Sequence, residues 1–137
     1  MMNIGNCGLI EFTQSLDLRG QLTYMESNKE IPFDIKRIYY FHHIPITSIR
    51  GAHAHKELEQ VVIALSGNFE IVIDDGNSQQ SYLLNHPQQG LYIGTMVWRE
   101  LRNFSPNSIC LVLASEFYNE ADYIRDYNHF INLKKSP

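Results

Sequence analysis

The feature that most restricts this chain is a succession of short β-branched and aromatic runs, those in its middle closed by Gly, Asn or Asp. Runs at residues 60–65, 69–73 and 81–84 are separated by Ser66-Gly67-Asn68 and Asp74-Asp75-Gly76-Asn77. Those turn residues tolerate the positive φ of tight hairpins. Runs at 9–12, 21–26, 35–42, 91–94, 97–101 and 109–114 continue the pattern. Strands spaced about 8–12 residues apart, with no helical period between them, predict an antiparallel sandwich or barrel. One segment differs. Tyr123, Ile124, Tyr127, Phe130 and Ile131 recur at steps of three and four, Asn119 can cap, and Glu120 and Asp122 occupy a first turn. That spacing predicts a short C-terminal helix within residues 118–131.

A chain of 137 residues suits one domain, 1–137, able to bury about two-thirds of its unfolded surface without disulfides or a structural metal. No run approaches the ~18 apolar residues of a membrane span, and Met1-Met2-Asn3-Ile4-Gly5 lacks a signal-peptide pattern. Cys7 and Cys110 make no finger or CxxC spacing, so a reduced, cytoplasmic protein is expected. A net charge of -4 argues against nucleic-acid binding through a basic surface, while leaving room for a local arginine cluster facing a small anion.

Four of the six histidines lie between residues 42 and 55. His53 and His55 are two apart, so on a strand both rings point to one face. Imidazole titrates near neutral pH, so such a pair suits proton transfer or metal binding; two satisfied structural histidines are the other reading. His42 and His43, being adjacent, would face opposite sides of a strand, one of them toward the core.

The segment His53-x-His55-x4-Gln60-x6-Gly67 follows the first cupin motif, and Arg99-x3-Asn103 stands where the second motif ends in His-x3-Asn. The chain thus resembles a cupin over residues 8–114. The resemblance implies an all-β fold, a small jelly-roll β-barrel with its ligand in the barrel mouth. The departures bear on chemistry. Gln60 replaces the metal-binding carboxylate and Arg99 the third histidine, and a guanidinium offers only donors and would repel a cation. These residues argue against a bound metal. They leave two imidazoles and a cationic arginine.

Longer strings carry a closer resemblance. Asp17-Leu18-Arg19-Gly20, Arg50-Gly51-Ala52-His53-Ala54-His55-Lys56-Glu57-Leu58-Glu59-Gln60, Gly90-Leu91-Tyr92-Ile93-Gly94, Val97-Trp98-Arg99-Glu100 and Tyr118-Asn119-Glu120-Ala121-Asp122-Tyr123 are similar to the WxcM-like dTDP-4-keto-6-deoxy-D-glucose 3,4-ketoisomerases, spanning residues 17–130. That resemblance implies isomerisation of a 4-keto to a 3-keto sugar on a thymidine diphosphate, in the nucleotide-sugar supply of O-antigen or S-layer glycans. It implies no metal or organic cofactor, and a homodimer that exchanges N-terminal strands. It makes His53 and His55 the catalytic pair, with Tyr39 a nearby polar group.

The chemistry can be derived without the family. A C4 ketone acidifies the C3 proton, a neutral imidazole removes it, and reprotonation at C4 through an enediol leaves the ketone at C3. Either histidine can be the base. Arg19, followed by Gly20, is the foremost candidate for the diphosphate, since glycine lets a phosphate approach the backbone. Arg50, Arg37 and Arg99 are further candidates; Arg50 lies nominally on the face opposite His53 unless a bulge at Gly51 redirects it. Trp98 and Tyr92 could stack on a base or pack in the core. Two other functions compete. A nucleotide-sugar 3,5-epimerase would be expected to pair its base with a carboxylate, and a non-catalytic sugar-binding cupin would only bind.

Overall fold

A computed structural model describes residues 6–135. The strands are β1 (Cys7–Glu11), β2 (Thr13–Asp17), β3 (Gly20–Tyr24), β4 (Arg37–Phe41), β5 (Arg50–His55), β6 (Gln60–Ser66), β7 (Phe69–Asp74), β8 (Gln79–Leu84), β9 (Gln89–Ile93), β10 (Trp98–Arg102), β11 (Ile109–Ala114) and β12 (Tyr123–Ile124), followed by helix α1 (Tyr127–Lys135). They form two five-stranded antiparallel sheets, β1-β9-β6-β11-β4 and β12-β5-β10-β7-β8, and a separate β2–β3 hairpin. The expected all-β, jelly-roll architecture with a short C-terminal helix is what forms.

The sheets share one core. Val62, Ala64, Leu91, Ile93, Cys110 and Val112 of the first meet Phe69, Ile71, Ile73, Leu84 and Leu101 of the second. The run in β6 does not alternate because the first sheet is covered on both faces. Ile31 and Phe33, with Met25 and Ile35, pack over the outward-facing Val61, Ile63 and Leu113. On the second sheet α1 is the cover, its Phe130 packing with Trp98, Ala54 and Ile124. Cys7 and Cys110 are buried and free.

Two sequence expectations need correction. The residues expected as one helix divide into three pieces. Asn119 does cap, its side chain accepting from the Ala121 N–H, but it caps only a 3-10 turn at Glu120–Asp122. Tyr123 and Ile124 then pair with His55 and Ala54 as β12, and α1 begins at Tyr127. The exposed edge of β5 offers backbone partners that a helix here would leave unmet, so the edge captures two residues that fit the helical spacing. The second correction concerns His42 and His43. β4 ends at Phe41, both rings are exposed, and their Nδ1 atoms lie 2.6 Å apart. Neither enters the core.

A bulge in β5 sets which side chains share its inner face. Arg99 pairs with His53, but Glu100 pairs with Gly51, so Ala52 is an extra residue. Gly51 and Ala52 have φ of 85° and 56°, a left-handed pair that Gly51 adopts readily and Ala52 only with strain. The extra residue brings Arg50 onto the face of His53.

Candidate active site

A cavity of about 470 Å³ opens between β4, β5 and β12, lined by Arg37, Tyr39, Phe41, Arg50, His53, Tyr123 and Arg125 among others. His53 stands in its wall. His55 lies behind, fully buried, with ring centroids 4.8 Å apart and the planes at 83°. Tyr123 covers both rings, 5.0 Å from His53 and 4.3 Å from His55.

The hydrogen bonds fix where each ring carries its proton. His53 Nδ1 lies 3.0 Å from the Gly51 carbonyl, and His55 Nδ1 lies 3.1 Å from Asp122 Oδ2. Both partners only accept, so both rings hold their hydrogen on Nδ1 and leave Nε2 as a bare acceptor. His55 Nε2 is buried with no partner among the described residues. Burial, and next the charge of Arg99, lowers the pKa of His53 to about 4. The same two causes, in the same order, push His55 lower still. Both rings are therefore neutral near pH 7, and His55 meets Asp122 through a hydrogen bond rather than as an ion pair.

Beneath them lies a second chain of contacts. Arg99 is 2% exposed, and among the described residues no carboxylate pairs with it. Its Nη1 donates to Gln60 Oε1 at 2.6 Å, and Nε and Nη2 donate to the Val97 carbonyl. Burial lowers its pKa to about 10, which leaves it charged at neutral pH. Because the Gln60 oxygen is taken by a donor, its amide nitrogen must face Tyr39, where it donates to the hydroxyl oxygen at 2.8 Å. The Tyr39 O–H is thereby free to donate. Burial also raises the Tyr39 pKa, so the phenol keeps its proton.

Three more guanidinium groups ring the cavity. Arg37 lies 5.0 Å from the Tyr39 ring and 5.6 Å from that of Tyr118, with Nε and Nη2 buried and without a partner among the described residues. Arg50 lies 4.0 Å over Phe41. Arg125 lies 4.2 Å over Tyr123 and is paired to Glu120 at 2.6 Å.

The family model FdtA, described as WxcM-like, C-terminal, matches residues 5–135. The chain belongs to the WxcM-like family. It is 46% identical over 133 residues, 93% of this chain and 96% of the relative, to the TDP-4-oxo-6-deoxy-alpha-D-glucose-3,4-oxoisomerase of Aneurinibacillus thermoaerophilus. A 3,4-ketoisomerase from Helicobacter canadensis superposes with a TM-score of 0.93 at 50% identity, covering 96% of this chain and 98% of that one. A histidine-to-asparagine mutant of the 3,4-ketoisomerase QdtA from Thermoanaerobacterium thermosaccharolyticum, in complex with TDP-4-keto-6-deoxyglucose, superposes with a TM-score of 0.94 at 43% identity, covering 97% and 96%. The dTDP-4-dehydrorhamnose 3,5-epimerase of Bacillus anthracis, 17% identical with a TM-score of 0.76 over 86% of this chain and 77% of that one, shares the fold alone.

The structure gathers Arg37, Tyr39, Arg50 and His53 around one cavity, with His55 and Arg99 behind it. It does not bring Arg19 and Gly20 there. They sit at the β2–β3 turn, where Arg19 is exposed and pairs with Asp17 at 2.9 Å. Trp98 packs against Phe130, and Tyr92 bonds Glu59. Sequence reading missed Asp122, Tyr123, Arg125 and the bridging role of Gln60. A helix assigned over 118–131 hid the first three, since only the strand pairing of β12 carries them to β5. The His55–Asp122 contact is the histidine–carboxylate pair expected of an epimerase, yet the close relatives are ketoisomerases. That pair does not separate the two reactions.

Proposed function

We propose that this sugar 3,4-ketoisomerase acts on a dTDP-linked 4-keto-6-deoxyhexose, with His53 as the base at C3. One observation carries the reading: two neutral imidazoles stand side by side with Nδ1 committed to acceptors and Nε2 bare. The C3–H bond breaks and its proton passes to His53 Nε2, while the electron pair moves through C3–C4 onto the C4 oxygen. Tyr39 donates to that oxygen, and the buried charge of Arg99 favours the anion that develops there. The proton held by His53 then enters at C4, and the C3 hydroxyl proton passes to the C4 oxygen, leaving a C3 ketone and a C4 hydroxyl, so protons and electrons balance without an external oxidant. His55, with its only hydrogen on Nδ1, accepts the C3 hydroxyl proton at Nε2 and relays it to the C4 oxygen.

Arg37 and Arg50, with Arg125 beside them, offer the diphosphate three guanidinium groups. The orphaned donors of Arg37 support this, since buried donors without acceptors are costly. No metal or organic cofactor enters this scheme. The β2–β3 hairpin exposes Leu16, Leu18 and Leu22, an apolar edge suited to another surface. A homodimer exchanging its N-terminal strands would cover it and carry the Arg19–Gly20 turn toward a second copy's cavity. No helix of the described residues is long and apolar enough to cross a membrane. The two free thiols support the reading of a single cupin-like unit in the cytoplasm.

The test is incubation with dTDP-4-keto-6-deoxyglucose in deuterated water, followed by NMR. A 3-keto sugar carrying deuterium at C4 is expected. Deuterium at C5 would indicate the epimerase, and unchanged but bound substrate the sugar-binding reading; either result overturns the proposal.

A further inference from the structure

The contact between His55 and Asp122 has more behind it than one hydrogen bond. Asp122 closes the 3-10 turn capped by Asn119, whose carbonyl accepts from the Asp122 N–H at 3.0 Å. From there three consecutive backbone N–H groups after β5 hold it. Lys56 donates to its main-chain carbonyl at 3.0 Å, Glu57 to Oδ1 at 2.8 Å, and Leu58 to Oδ2 at 3.3 Å. A carboxylate held by that many donors is fixed in place. Its second oxygen then faces His55 Nδ1. The consequence is an unpaired Nε2 in a fully buried ring, a loss that native structures rarely retain without a use for the atom.

We propose that Asp122 is a positioning residue for the isomerisation, holding the His55 hydrogen on Nδ1 so that Nε2 stays a bare acceptor. The role rests on His55 acting with His53 in the proposed isomerisation. It assigns the C-terminal segment a task that cupin strands alone do not perform: Asp122 reaches β5 only because β12 docks on its edge. The carboxylate touches no substrate. It acts through the ring.

Asp122→Asn is the discriminating change because it keeps the shape. The Glu57 N–H, at 2.8 Å the shorter of the two backbone contacts to the side chain, keeps the amide oxygen where Oδ1 now lies, and the 3.3 Å contact from Leu58 is given up. The amide nitrogen must then face His55 and donate to Nδ1, which forces the ring hydrogen to Nε2. In protein labelled with ¹⁵N-histidine, long-range proton–nitrogen correlation reads the tautomer of His55 directly. The wild type should show the Nδ1–H form and Asp122→Asn the Nε2–H form. With dTDP-4-keto-6-deoxyglucose, kcat should fall by about 10²-fold, the lower range for a lost acid–base contribution, while KM changes less than about threefold. A purely structural role would not invert the tautomer. An Nε2–H ring in the wild type overturns the proposal even if the variant does not fold, and so does full turnover despite an inverted ring. His55→Asn separates this from the underlying reading. If it spares turnover, the paired-histidine reading fails and the positioning role with it. If it abolishes turnover while Asp122→Asn does not, the positioning role alone fails.

Discussion

Arg99 donates to Gln60 Oε1 at 2.6 Å and so turns the Gln60 amide nitrogen toward the Tyr39 hydroxyl, 2.8 Å away. One buried cation thereby determines which way a phenol on the opposite sheet can give its hydrogen. A fixed charge without a carboxylate partner is expensive to bury, and here it occupies the position where a metal-binding cupin would carry its third histidine.

Gln60→Glu should reverse that polarity. The new carboxylate would pair with Arg99 and accept from Tyr39, which draws the phenolic hydrogen out of the cavity. We expect kcat to fall by about 10–100-fold, within the range of a lost oriented donor, with the melting temperature little changed. Tyr39→Phe should match it in steady-state assays; full kcat in both would remove Tyr39 from the reaction.

Combining Gln60→Glu with Arg99→His would rebuild the cupin donor set of three imidazoles and one carboxylate. Calorimetric titration should then detect Zn²⁺ or Mn²⁺ binding absent from the wild type, because the repelling cation is gone and the acceptors are present. Turnover of the wild type should survive a chelator. Loss on chelation would contradict the argument from Gln60 and Arg99.

Acid should inactivate this enzyme later than an ordinary imidazole predicts. As the proposed base, His53 works only when unprotonated, and its pKa is lowered to about 4, by burial first and Arg99 second. The acid limb of kcat/KM should fall near that value instead of about 6.5. Arg99→Met removes the second cause and should move the limb upward, though not fully back. Stability follows the same sign. Both histidines have folded-state pKa values below the unfolded one, so the unfolded chain takes up protons first. Thermal melts should be steady above about pH 6.5 and decline as pH drops toward 4. The double change His53→Asn with His55→Asn should flatten that decline.

Arg37→Met and Arg50→Met should each weaken TDP by about tenfold in calorimetric titration, near 1.4 kcal/mol. The loss should shrink at high salt, since part of the attraction is screened. If neither change alters TDP affinity, the diphosphate lies elsewhere.

Phe130→Ala should destabilise the chain by about 3–5 kcal/mol in denaturant unfolding, since the ring is fully buried against Trp98, Ala54 and Ile124. Turnover should suffer as well, because Ile124 belongs to the short strand that carries Asp122 to His55. An unchanged kcat in the folded variant would separate the helix from the site.

Much of the fold was legible in the run-and-turn pattern, since turn residues recur wherever one strand reverses into the next. Period-two alternation also placed His53 and His55 on one face, and replacement of a carboxylate and a histidine by Gln60 and Arg99 was readable at fixed spacing. Other relationships depend on long-range pairing. Asp122 is 67 residues from His55, and no local rule announces that residues fitting a helix will be taken by a sheet edge. The extra residue at Ala52 belongs here too: a bulge exists only relative to the partner strand, and it decides that Arg50 shares a face with His53. Sequence by itself determined most of the strands, though not β2 or β12, along with the turns between them and the kinds of groups available, because these follow from side-chain preference within a few residues. Tertiary structure alone decided which carboxylate meets His55 Nδ1 and how deeply that ring is buried, because burial and hydrogen-bond direction here are properties of neighbours that the linear order leaves far apart.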